Sequence, residues 1–135
     1  MRARESTASG FSITVNADLQ YTNYSGQDVL ALIAQNNFNV GFTSDTDLRV
    51  DAAIIAQNGR AGRFYYASVC GAAYIRNSLT LYGMIATNQR YGFAYTDNTG
   101  YLTRTLNYDA NLLYGSPLSF PLTSSQYEII SWKEQ

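Results

Sequence analysis

Arg60, Arg63 and Arg90 lie among Phe64, Tyr65, Tyr66, Tyr91, Phe93 and Tyr95, and these are the residues whose types and spacing could do chemistry. A guanidinium forks onto carboxylate, sulfate or phosphate, and a tyrosine face suits a sugar or a base. Two guanidiniums brought side by side repel unless an acid or an anionic ligand lies between them. Arg60, Arg63, Arg90, Tyr65, Tyr91 and Tyr95 are therefore the candidate ligand-binding set, for a glycan, a neighbouring protein or a nucleic-acid strand. The same residues also read as a finished surface, in which arginine stacks on tyrosine and pairs with a nearby aspartate.

Covalent and acid-base chemistry has fewer candidates. The chain has no histidine, which removes Ser-His and Cys-His activation and His-ligated zinc. Cys70 is the only cysteine, so neither an intrachain disulfide nor a thiolate cluster can form; in Val69–Ala73 it reads as a small buried hydrophobe. Asp51 and Asp109 could lie on one face, yet no third group completes a glycosidase pair. Asp45 and Asp47, in the turn from Thr43 to Asp47, read as Asx-turn caps in preference to calcium ligands. No catalytic residue, metal or cofactor is expected, and the chain reads as a non-enzyme.

The elements that must position these residues are written in a repeat. Ala31–Asn36, Ala53–Asn58 and Gly83–Asn88 each run small, apolar, apolar, Ala, polar, Asn. The first two copies are 22 residues apart and the third follows after 30, which calls for an inserted loop around Phe64–Tyr74. The match extends from Asn58–Gly62 to Asn88–Gly92, placing Arg60 over Arg90. The first copy, Asn36–Gly41, reads one residue longer and should have a looser corner. Asn36, Asn58 and Asn88 are expected to stack as a structural Asn ladder at equivalent corners. A weaker fourth copy spans Tyr108–Leu112.

Elsewhere apolar and polar residues alternate, as in Ile13, Val15, Ala17, Leu19 and Tyr21, the mark of a half-buried strand. Asp28 could instead cap a helix through Gln35, but related repeats should share one conformation. The expected fold is all-β, a short right-handed parallel β-helix (solenoid) with an irregular C-terminal cap; a β-sandwich is the alternative. One domain is expected over 11–135, with 114–135 as the cap and Trp132 packing in it. Residues 1–10 read as a disordered lead, added to the domain or cut from a longer protein.

Ten acidic against nine basic residues give a net charge of -1, which supplies no field for a polyanion or an anionic membrane. No apolar run approaches the roughly 20 residues of a membrane span.

The stretch from Leu79 to Glu134 carries a resemblance. Leu79–Arg90, Gly100-Tyr101, Tyr108-Asp109, Pro117 to Pro121 and Tyr127–Glu134 together resemble a bacterial domain of unknown function in PilX-type, minor-pilin-like proteins of the type IV pilus. Ala110 stands where that family tends to have proline, and Gly115–Leu118 is less proline-rich. The resemblance implies a β-rich C-terminal domain behind an N-terminal membrane segment, and no catalytic residues carry over. The expected function is a non-enzymatic extracellular or cell-surface structural or adhesive module of a pilus-associated protein. Its partners would be other pilin-like proteins or surface glycans. Carbohydrate binding or cleavage, and capture of single-stranded DNA, are the alternatives.

Overall fold

The structure, a computed structural model, describes residues 10–115. Seven strands follow in order: β1 Ile13–Val15, β2 Ala31–Ala34, β3 Phe38–Val40, β4 Asp47–Ala56, β5 Ala61–Arg63, β6 Ile75–Thr87 and β7 Gly100–Tyr108. Short 3-10 turns occupy Ser68–Cys70, Ala72–Tyr74 and Ala110–Leu113. The strands form two sheets, β1-β3-β5 and β2-β4-β6-β7, and every ladder in both is parallel.

This corrects the expected fold. In place of a closed β-helix with continuous faces there are two parallel sheets of unequal size, three strands against four. The three-stranded sheet has only three residues per strand, and the connections 16–30 and 64–74 hold turns and one isolated bridge where a further face would need ladders. The sandwich alternative fares no better, because its sheets would be antiparallel. The expected cap lies almost wholly outside the described residues, as do Trp132 and residues 1–9.

The repeat reading is right about which copies meet and wrong by one residue about how. Ala31 pairs with Ala53, but Ala53 pairs with Met84 and Gly83 falls opposite Ala52. Gly83 explains the slip: its φ is 140°, and a Cβ there would collide with the Ala52 carbonyl. The longer corner is the second, not the first. Ala56 to Gly62 is a step of six positions, whereas the paired Ala34 to the paired Asn39 is a step of five. The fourth copy leaves the sheet after Tyr108 and turns into 3-10 structure.

Two further expectations change. The alternating run from Ile13 is broken, because Val15 pairs with Val40 in one sheet while Leu19 bridges Val50 in the other. Periodicity survives the crossing, so a change of sheet is invisible to it. Cys70 is exposed rather than buried, since the 3-10 turns around it bury no residue.

The core lies between the sheets. Phe38, Val40, Val50 and Ile54 are fully buried and meet Leu79 and Leu81. Burying each such side chain is worth about 1.5–3 kcal/mol. The strand register runs Leu48, Leu79, Arg104 along one row, then Val50, Leu81, Leu106, then Ala52, Gly83, Tyr108. The first two members of each row are buried, whereas Leu106 and Tyr108 are 44% and 56% exposed. On the facing sheet β5 is continued only by a single Gly62–Gly92 bridge. Among the described residues β7 thus has no complete strand opposite it, and the core opens into a groove.

Candidate functional site

The groove has a volume of about 830 Å³, and its lining includes Arg60, Arg90, Tyr91, Tyr95 and Arg104. Its position follows from the fold. Arg60 and Arg90 each precede by two residues a glycine of the Gly62–Gly92 bridge, so they occupy matching places on adjacent rows. Rows of a sheet lie about 4.8 Å apart. Arg104 enters from β7, where the register sets it in line with buried Leu48 and Leu79. Leu102 and Leu106 flank it along the same strand, and buried Phe93 also lines the groove.

Two of the guanidiniums are held by the protein itself. Arg60 lies 5.5 Å from the Phe64 ring centre and donates to the Arg63 carbonyl at 3.4 Å. Arg104 donates to the carbonyls of Tyr101 at 2.6 Å and Leu102 at 3.3 Å. Among the described residues the only ion pair is Arg49 with Asp51, and the groove lining contains no Asp or Glu. Tyr95 is fixed by its hydroxyl, which donates to the Arg63 carbonyl at 2.8 Å, and by Tyr65 packed edge-on at 5.2 Å. Tyr65 does not line the groove; its hydroxyl donates to Asp97 at 3.0 Å. Hydrogen bonds from Thr99 hold the Asp97 carboxyl below the usual carboxylate range.

Arg63 is the candidate residue that the structure removes from the ligand site. It is fully buried and donates to Ser44 Oγ at 2.9 Å, to the carbonyls of Phe42 at 3.2 Å and Ala73 at 2.7 Å, and closely to that of Gly41. The rings of Tyr66 and Tyr101 lie 4.9 Å and 5.7 Å from its guanidinium. Burial pulls Arg63 below the ordinary arginine value, and Arg76 adds to that pull while Tyr101 and Tyr66 oppose it. Spacing gave no reason to separate Arg63 from Arg60, because Arg60 precedes the strand and Arg63 ends it.

Arg104 was missed. It belongs to no repeat copy and has no aromatic run beside it, and only the pairing of Leu79 with Arg104 brings it to the groove. The Asn ladder is partly assembled. Asn58 Nδ2 donates to the Gln35 carbonyl at 2.8 Å and Asn88 Nδ2 to the Asn58 carbonyl at 3.4 Å. These are side chain to backbone bonds; Asn36 and Asn58 are two residues beyond paired Ala34 and Ala56, whereas Asn88 is one beyond the paired Thr87.

The acids weighed for chemistry are committed elsewhere. Asp51 is fully buried; its carboxylate accepts from Arg49 Nε at 2.9 Å, the Tyr24 hydroxyl at 2.5 Å and the Tyr21 amide at 3.1 Å. Asp109, also buried, accepts from the Tyr82 hydroxyl at 3.2 Å and from Asn111. The rings of Tyr21, Tyr24 and Tyr82 pack between them with centres 5.5 to 6.2 Å apart. In the turn from Thr43, Ser44 serves Arg63 and Tyr101, while Asp47 accepts from Asn77 and Ser78. Among the described residues no group of three potential metal-binding acids or cysteines occurs.

Comparison with known proteins adds no relative: no family model, curated protein or solved structure matches the chain. No helix among the described residues is long and apolar enough to cross a membrane.

Proposed function

We propose that this chain is a non-enzymatic adhesive module of a pilus-associated surface protein, and that it holds its ligand in the groove of Arg60, Arg90 and Arg104. One observation carries the binding part of this reading. Three guanidiniums line a groove whose described lining has no carboxylate, beside Tyr91 and Tyr95. A guanidinium bonded to an anion is worth about 1.5–3 kcal/mol, which the protein's own carbonyls at Arg60 and Arg104 do not supply in full. The surface and pilus part rests on the resemblance of residues 79–134. A cleaving activity gains nothing from the groove, because the buried Asp51 and Asp109 do not line it.

The binding test is retention of the purified chain on a sulfated resin and on its uncharged parent at rising salt. Retention of wild type that falls when Arg90 and Arg104 are both replaced by alanine supports the reading. Equal retention of wild type and the double variant sinks it. The location test is protease or biotin labelling of intact cells, where protection of the native protein from both reagents would contradict surface display.

A further inference from the structure

Resting on the groove reading, we infer that the ligand is an acidic polysaccharide, a pyranose chain bearing sulfate or carboxylate groups. The groove combines charge with apolar surface. Arg60, Arg90 and Arg104 share its lining with Tyr91, Leu102 and Leu106, and buried Phe93 lies at its wall. An acidic sugar chain has the same two-sided character, with anions at its edges and C–H faces that sit on aromatic and aliphatic side chains.

The repeat geometry adds direction. Arg60 and Arg90 occupy matching positions on neighbouring rows, whose backbones in a sheet lie about 4.8 Å apart, and both line the groove, so they can meet successive anions along the stacking direction of the strands. A linear polymer with recurrent charges can engage both at once, and Arg104 offers a third contact from β7. Preorganisation lowers the ordering cost of binding: Arg60 is stacked on Phe64, Arg104 is bonded to the Tyr101 carbonyl, and Tyr95 is pinned to the Arg63 carbonyl.

The surroundings disfavour a nucleic acid. Bases bind by stacking on exposed aromatic faces beside the phosphate contacts, and among the groove's rings Phe93 and Tyr101 are buried and the Tyr95 hydroxyl is held by the Arg63 carbonyl, which leaves Tyr91 as the well-exposed ring.

The experiment is isothermal titration of the full chain with five probes: dextran sulfate, polygalacturonate, neutral dextran, polyglutamate and oligothymidylate. Expected are binding of both acidic glycans, none of neutral dextran, and an affinity about tenfold lower in Arg90→Ala and in Arg104→Ala, corresponding to loss of one charge-assisted contact. Arg90→Lys keeps the charge without the fork and should fall between. Arg90 is exposed, so its variants should keep the wild-type melting temperature and remain interpretable. If polyglutamate or oligothymidylate binds more tightly than both glycans, the polysaccharide inference falls while the groove reading stands. If no polyanion binds, or all bind equally to wild type and Arg90→Ala, both fall.

Discussion

Arg63 and the Arg60–Arg90–Arg104 groove show what the same side chain does in two settings a few residues apart. Arg63 is buried at the end of β5 and directs its donors to the chain itself: Gly41, Phe42 and Ala73 carbonyls and the Ser44 hydroxyl. In the groove the guanidiniums have no described carboxylate partner and face a volume of about 830 Å³. Among the described residues neither cluster is neutralised by an acid. The difference lies in the acceptors: Arg63 meets four, three fixed by the turn after β3 and one by the 3-10 turn at Ala73, whereas Arg90 has no hydrogen-bond partner among the described residues. An arginine therefore becomes structural where the chain curls its carbonyls round it, and available where the core runs out of opposing strand.

The largest test of that contrast is Arg63→Ala. Removing it strands buried carbonyls and empties the space between Tyr66 and Tyr101, so a loss of about 3 kcal/mol or more is expected in urea unfolding. A loss below about 1 kcal/mol would show that Arg63 is not structural. Next comes Asp51→Ala, which takes a shared acceptor from Arg49, Tyr24 and the Tyr21 amide; about 2 kcal/mol is expected, by the same measurement.

Alkaline titration probes both polar clusters together. Burial pushes the Tyr21 and Tyr101 phenols above their ordinary value of 10.0. Because the folded state holds these protons more tightly, their contribution is full below pH 10.0 and is lost as pH rises through the higher folded values. Melting temperatures should fall above pH 10.0, and Tyr101→Phe should reduce the slope. A flat profile there would contradict the burial of both phenols. The smallest expected effect on stability belongs to Arg90→Ala, within about 0.5 kcal/mol. A larger loss would make Arg90 a structural residue like Arg63.

Much of this was legible in the residues, and the failures have physical causes. The repeat identified which segments pair and put Arg60 alongside Arg90, because pairing demands similar apolar patterns. It misjudged the register at Gly83, where backbone approach to Ala52 decides the pairing and leaves no side-chain pattern to read. The closed solenoid was overdrawn because alternation from Ile13 to Tyr21 looks the same whether the chain stays in one sheet or crosses to another. Arg63 was misassigned because three of its four acceptors are main-chain carbonyls, which every sequence has. Arg104 was missed because its place in the groove depends on pairing across 25 residues.

The contrast itself is tested most directly by following the arginine Nε–H signals of 15N-labelled full-length chain by NMR while dextran sulfate is added. The expected result is that the Arg60, Arg90 and Arg104 signals move with saturation while Arg63 stays fixed. Movement of Arg63 alone, or of none of the four, would contradict the division between a buried structural arginine and an open arginine groove.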